Sequence, residues 1–281
     1  MRLDFRLVNV FTDGADRLSG NPLAVFEDGS GLDAARMQDL ARQFNLSETT
    51  FILPSARASA AVRIFTPAME LPFAGHPVLG TAQVIADLRG GDAALTLDLA
   101  AGVVPVRRDA DGWTLTAAAP STRAFDAGRT AALVAALGLT AADLAAAPLW
   151  VSTGMEQLLV PLADARRVAA ATPGAGLAQF GNDFGKVGVY LFAAAGTEEV
   201  SARFFFGKAG GPIAEDPATG SACANLGGFL LARGTAPPFR RAVRQGGAVG
   251  RPSRLGLAVD AAGGIQVSGA VIALGRGHLE L

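Results

Sequence analysis

Short runs of apolar residues, alternating or continuous and punctuated by Gly, Pro and Asp, occupy most of the chain and predict β-strands. In the first half they cover Phe5 to Phe11, Pro22 to Phe26, Thr49 to Leu53, Ala61 to Phe65, Leu95 to Leu99, Val103 to Arg107 and Trp113 to Ala117. The second half supplies Trp150 to Thr153, Gln157 to Pro161, Gly188 to Phe192, Val200 to Phe205, Leu255 to Val259, Ile265 to Ser268 and Val271 to Leu274. The period changes to that of a helix at Asp33 to Phe44. There Met37, Leu40, Ala41 and Phe44 share one face, Arg36, Asp39 and Arg42 oppose it, and Asn45 suits the C-terminal stop. Pro77 to Leu88 and Ser221 to Ala232 carry one charge between them, Asp87, and are apolar nearly all round. Each predicts a central helix buried on every side.

The pattern also repeats. At an offset of 140 residues and without a gap, Arg63 and Phe65 fall on Arg203 and Phe205, Pro72 and Ala74 on Pro212 and Ala214, and Pro77 on Pro217. Gly80 and Ala82 fall on Gly220 and Ala222, with Thr81 on Ser221. Pro, Phe and Arg holding one register point to a duplication. The expected class is α+β: two pseudo-symmetric lobes, each a barrel-like β-sheet wrapped around a central helix. The division is expected near Ala119-Pro120-Ser121-Thr122, giving lobes 1–118 and 119–281, with the last strand open to packing back on the first lobe.

Length and composition narrow the chemistry. At ~150 residues per domain, 281 residues make roughly two domains. Half the residues are hydrophobic, only 17% are charged and the net charge is −1 with no basic block. Disorder and an electrostatic footprint for nucleic acid or an anionic membrane are therefore not expected, and a small-molecule partner is. No stretch free of Asp, Glu, Lys and Arg exceeds the 16 residues of Leu71 to Ala86, short of a membrane span, and the first six residues do not read as a secretory signal. A cytoplasmic location is the expectation. The single cysteine, Cys223, excludes an intramolecular disulfide and any mechanism needing two thiols.

The candidate chemistry sits at the mouths of the two central helices, Gly75-His76-Pro77 in one copy and Glu215-Asp216-Pro217 in the other. Backbone N–H groups of Val78 to Gly80 and of Ala218 to Ser221 are expected to be free to meet a carboxylate. The plain alternative is that His76 and Asp216 only cap their helices. His76 titrates near neutral pH and follows Gly75, which lets a ligand approach the backbone; His278, near the C-terminus, is expected in a solvated tail. Glu48 lies between a helix stop and an apolar strand. Half-burial there would raise its carboxyl pKa, as a proton shuttle requires, whereas a surface edge-strand Glu needs no functional explanation, and composition alone does not choose between them. Gly29-Ser30-Gly31-Leu32-Asp33-Ala34 matches a dinucleotide fingerprint, but the strand about 20 residues on lacks the acid, so it reads as a turn. No Walker pattern, zinc-protease motif or cysteine pair occurs, so neither a metal nor a cofactor is expected. Ser221 with His76 and Asp216 could be drawn as a hydrolytic triad, but Thr219-Gly220-Ser221-Ala222-Cys223 lacks the second glycine of a nucleophile elbow. Cys223 reads as packing.

Ser19-Gly20-Asn21-Pro22-Leu23-Ala24-Val25, Asn45-Leu46-Ser47-Glu48-Thr49, Phe65-Thr66-Pro67, Glu70-Leu71-Pro72-Phe73-Ala74-Gly75-His76-Pro77 and Glu215-Asp216-Pro217-Ala218-Thr219-Gly220-Ser221-Ala222 together resemble the PhzF family. The resemblance covers nearly the whole chain and implies a diaminopimelate epimerase-like fold and a homodimer. It implies Glu48 as the acid/base moving a proton between carbons, with His76 and Asp216 as its catalytic partners. Ser47, Gly75, Gly220 and Ser221 would then bind a small carboxylated substrate. Where relatives tend to read Phe-Ala-Pro, this chain has Phe205-Phe206-Gly207-Lys208, which leaves the substrate open. The expected function is a cofactor-independent isomerase; the alternatives are a metabolite-binding protein that keeps the cleft, or a Ser221-dependent hydrolase.

Overall fold

The computed structural model describes residues 1–208 and 210–281. The chain forms two compact units, one of Met1–Thr116 with Ser268–Leu281 and one of Ala117–Val267. In chain order the first contains β1 (Arg2–Val10), β2 (Asn21–Phe26), α1 (Ala34–Phe44), β3 (Glu48–Leu53), β4 (Ala60–Phe65) and β5 (Glu70–Leu71). There follow α2 (Gly75–Leu88), β6 (Ala94–Leu99), β7 (Gly102–Asp109) and β8 (Gly112–Thr116). The second contains β9 (Ser121–Ala124), α3 (Thr130–Ala136), β10 (Leu149–Ser152), β11 (Glu156–Pro161), α4 (Ala165–Ala170), β12 (Lys186–Ala194) and β13 (Glu199–Lys208). It continues with β14 (Ile213–Asp216), α5 (Gly220–Ala232), β15 (Phe239–Gln245) and β16 (Ser253–Val259). The division crosses β17 (Ile265–Gly269), and β18 (Val271–Glu280) belongs to the first unit.

Helix α2 touches β1, β2, β3, β4, β6, β8 and β18, so strands cover it on every side. This is why an apolar surface all round suits it: ten of its fourteen residues, His76 to Thr81 among them, are buried. The other face of the sheet is covered by α1, whose Met37, Leu40 and Ala41 pack with Leu3, Phe26, Phe51 and Phe65. A strand covered on both faces loses its alternation. In β3, Phe51 packs with the α1 layer while Thr50 turns to α2, where its hydroxyl meets that of Thr81 at 2.8 Å. In the second unit α5 lies against β9, β10, β11 and β16, and a second apolar layer joins Leu133 and Leu137 to Leu158, Val160, Val189 and Leu191.

The two units have the same pairing scheme. In the first, β1 is antiparallel to β2, β2 parallel to β3, β3 antiparallel to β4, and β4 antiparallel to β5 and parallel to β6, which is antiparallel to β7. In the second, β10 to β16 repeat these relations one for one. The gapless register, however, fails after the strand. Phe65 pairs with Glu70, but Phe205 pairs with Glu215, because β13 and β14 form a hairpin five residues longer. The unusual Phe205-Phe206-Gly207-Lys208 segment is the extension of that hairpin. Beyond it the offset is 145, so Gly75 corresponds to Gly220 and His76 to Ser221, each pair opening its helix. His76 and Asp216 are therefore not equivalent positions.

Other departures are local. Ser121 and Thr122, expected in a linker, begin β9 and pair with β10. His278 is in β18 opposite Asp4 rather than in a tail. Among the described residues no helix is long and apolar enough to cross a membrane.

Candidate active site

In the first unit the chain leaves α1 through Asn45, whose left-handed backbone (φ 50°) turns it past Ser47 into β3. Glu48 is the first residue of that strand and is registered beside Leu23 of β2. Its carboxyl Oε2 lies 3.3 Å from Nε2 of His76, the second residue of α2, with side chains 16% and 7% exposed. Burial pushes the imidazole pKa down to about 3, against the pull of a hydrogen bond to the backbone of Pro22. The ring is neutral at pH 7, and the contact is not an ion pair. Nε2 makes no conventional hydrogen bond, which leaves Nδ1 to donate to the Pro22 carbonyl. That tautomer presents the Nε2 lone pair to Glu48, so a proton on Oε2 has an acceptor beside it. The part played by Pro22 is carried by its backbone carbonyl, which leaves no side-chain signal within the Ser19–Val25 motif. Gly20 (φ 79°) permits the close turn just before it, since a methyl there would lie 3.1 Å from the Thr12 nitrogen and strike the Val10 carbonyl oxygen.

Capping does not explain His76 or Asp216. The N-caps are Ala74 and Thr219, and neither makes a side-chain capping bond. The expectation for Val78 fails, because its N–H already donates to Ala74 O. The N–H groups ahead of the first helical bond are those of Gly75 and His76 in α2 and of Gly220, Ser221 and Ala222 in α5, whose first bond is from Cys223 to Thr219; the expectation for Thr219 also fails, because its N–H donates to Gln245 Oε1.

In the second unit Asp216 ends β14, and Gly220 and Ser221 open α5. Gln245 of β15, 3% exposed, binds the connecting turn: its Nε2 donates to Asp216 O at 2.8 Å and to Thr219 Oγ1 at 3.0 Å. The Thr219 hydroxyl in turn donates to the Asp216 carboxylate. Gly246 (φ 82°) brings the chain against the Pro217 carbonyl, where no side chain fits. Beneath, the Arg203 guanidinium holds Glu215 through two bonds of 2.7 and 3.0 Å, as Arg63 holds Glu70 in the first unit. Ser221 Oγ accepts from Gln157 Nε2 at 3.0 Å. An amide N–H cannot take the serine proton, so this contact does not make Ser221 a nucleophile.

The structure thus brings Glu48 and His76 together in one unit beside Ser47 and Gly75, and Asp216, Gly220 and Ser221 together in the other. The position matching Glu48 in the second unit is Gly188, since Thr49 pairs with Phe65 as Val189 pairs with Phe205. The duplication therefore carries one such carboxylate. Cys223 is buried, and burial pushes its thiol up to about 12, leaving it inert packing. Among the described residues no group of three or more His, Cys, Asp and Glu could hold a metal ion. Two clefts, of about 360 and 320 Å³, are lined by Thr96, Pro105 and Thr114 and by Pro173, Phe205 and Glu215; neither is lined by Ser47, Glu48, Gly75, His76, Asp216, Gly220 or Ser221.

The family model for phenazine biosynthesis-like proteins matches residues 8–276. An uncharacterized isomerase of Pasteurella multocida is 38% identical over 98% of this chain and 93% of its own. The trans-2,3-dihydro-3-hydroxyanthranilate isomerase of Pseudomonas aeruginosa is 37% identical over 98% of this chain and 99% of its own. Among solved structures, a predicted epimerase from Pseudomonas aeruginosa superposes with a TM-score of 0.82 at 33% identity over 99% of both chains. The protein is an isomerase of PhzF type, and the chain belongs to the phenazine biosynthesis-like (PhzF) protein family.

Proposed function

We propose that this isomerase moves a proton between two carbons of a small carboxylated metabolite without a cofactor, and that Glu48 carries the proton. The observation behind this reading is the Glu48 carboxyl set 3.3 Å from an imidazole that burial keeps neutral. As carboxylate, Glu48 takes a proton from one carbon: the C–H bond breaks, its electron pair stays in the substrate's conjugated system, and an O–H bond forms. As acid, it returns the proton to the second carbon, so substrate and product have the same atoms and oxidation level. His76, with Nδ1 committed to Pro22, lends its Nε2 lone pair to the acid form and holds that proton between the two steps. Asp216 serves the same reaction. Ser47, Gly75, Gly220 and Ser221 bind the substrate, with the first-turn N–H groups at Gly75 and Gly220 suited to its carboxylate. The 37% identical relative acts, by its name, on trans-2,3-dihydro-3-hydroxyanthranilate, which makes that compound the first to try.

The test is turnover in heavy water of a panel of carboxylated metabolites that includes this compound, with carbon-bound deuterium followed by mass spectrometry. Glu48→Gln keeps the shape and removes the base. Its rate is expected to fall by at least about 10²-fold, the lower bound for loss of a general base. A Glu48→Gln enzyme within a few-fold of wild type would remove Glu48 from the mechanism.

A further inference from the structure

Behind Ser221 runs a chain of buried amides whose direction is fixed at its far end. The backbone N–H of Thr153, which can only donate, bonds Asn225 Oδ1 at 2.7 Å, and the Thr153 hydroxyl donates to the same oxygen at 2.8 Å. Asn225 Nδ2 must then be the donor side of that amide, and it reaches two acceptors, Met155 O at 2.9 Å and Gln157 Oε1 at 2.8 Å. With its oxygen so engaged, Gln157 turns Nε2 to Ser221 Oγ at 3.0 Å. Two backbone groups, one N–H and one C=O, thus settle the orientation of both amides, and neither can flip without setting like groups against each other. Gln157 is 1% and Asn225 0% exposed, so water cannot reverse the pattern, whereas Ser221 is only partly buried. Asn225 stands one helical turn after Ser221 on the same face of α5.

We infer that Gln157 and Asn225 are positioning residues that turn the Ser221 proton outward, so that the hydroxyl donates to an acceptor oxygen of the ligand, carboxylate or carbonyl. Gln157 Nε2 fills one of the two lone pairs of the hydroxyl and, being a donor, cannot receive its proton, so the O–H is directed to another acceptor. This rests on the reading of Ser221 as a substrate contact.

Two substitutions separate the relay from simple packing. Gln157→Met keeps the volume and removes the donor; Gln157→Glu keeps an acceptor for Asn225 but offers Ser221 an acceptor instead of a donor, drawing its proton inward. Each is combined with Ser221→Ala, with KM and kcat measured on trans-2,3-dihydro-3-hydroxyanthranilate, Kd on anthranilate by calorimetry, and Tm alongside. Gln157→Met is expected to raise KM and Kd about three- to tenfold, the worth of one neutral hydrogen bond, with kcat within about twofold. Gln157→Glu is expected to lose more, and both effects are expected to shrink below about twofold in the Ser221→Ala background. If Ser221→Ala is impaired but the Gln157 effects persist undiminished on it, or are absent in the wild-type background, the relay is refuted and Ser221 remains a substrate contact. If Ser221→Ala itself matches wild type, the reading of Ser221 fails and the relay falls with it.

Discussion

At the scale of single residues, the neutral imidazole of His76 ties the site to stability. An unfolded chain protonates a histidine near pH 6.5, whereas the folded ring does so only at about 3. Between those values the unfolded state holds more protons, so stability is fully present above 6.5 and is lost as pH falls toward 3. The slope reaches about 1.4 kcal/mol per pH unit, or about 2 kcal/mol from pH 6.5 to 5. The check is urea midpoints for wild type and His76→Gln at pH 7, 6 and 5: wild type is expected to weaken more steeply, and parallel curves would show that the ring is not held neutral. His76 and Glu48 were legible in the sequence because each is a titratable group beside a long apolar run. Gln157, Asn225 and Gln245 were missed because an amide carries no charge to notice. The available signal was simple: Gln157 precedes the apolar run of its strand and Asn225 interrupts an apolar helix, and a buried amide has to find partners.

At the scale of elements, the duplicated Arg–Glu pair shows how burial sets its weight. Arg203 and Glu215 are 13% and 10% exposed, Arg63 and Glu70 30% and 37%. Glu215→Ala leaves a mostly buried guanidinium with no carboxylate and only backbone carbonyls such as Ala171 O to bind, and is expected to cost about 3 kcal/mol, while Glu70→Ala should cost about 1 kcal/mol or less. Chemical denaturation of both variants tests this, and equal losses would contradict it. Gly246→Ala is expected to cost about 2–4 kcal/mol, since a methyl there meets two carbonyl oxygens in a left-handed backbone; an unchanged Tm would mean the turn before α5 adapts. The strands that pattern alone did not reveal were β5, β9, β14 and β15. The first three are only two to four residues long, and β15 reads Phe-Arg-Arg-Ala-Val-Arg-Gln. Its arginines mask the strand period because long side chains carry their charge to water past a packed stem. The gapless repeat misled for a related reason: insertions collect in hairpin loops, where neither core nor ladder resists them.

For the molecule as a whole, the first unit is discontinuous in sequence. Strand β1 pairs with β2 on one side and along its length with β18 on the other, from Arg2 opposite Glu280 to Val10 opposite Val271. A chain ending at Ala270 leaves that side of β1 without partners. Hydrogen exchange is expected to show β1 amides losing protection while β11 to β13 keep theirs; retained protection of β1 would show that the pairing is dispensable. The same closure orders events on the ribosome. β1 is made before the intervening unit and its outer partner after it, so the strand stays an open edge throughout the synthesis of that unit. The intervening unit, Ala117–Val267, has all its strands in hand before β18 exists. The unit that carries Glu48 and His76 is therefore begun before the intervening unit and completed after it, and chaperone capture of nascent chains stalled before β18 should fall on β1.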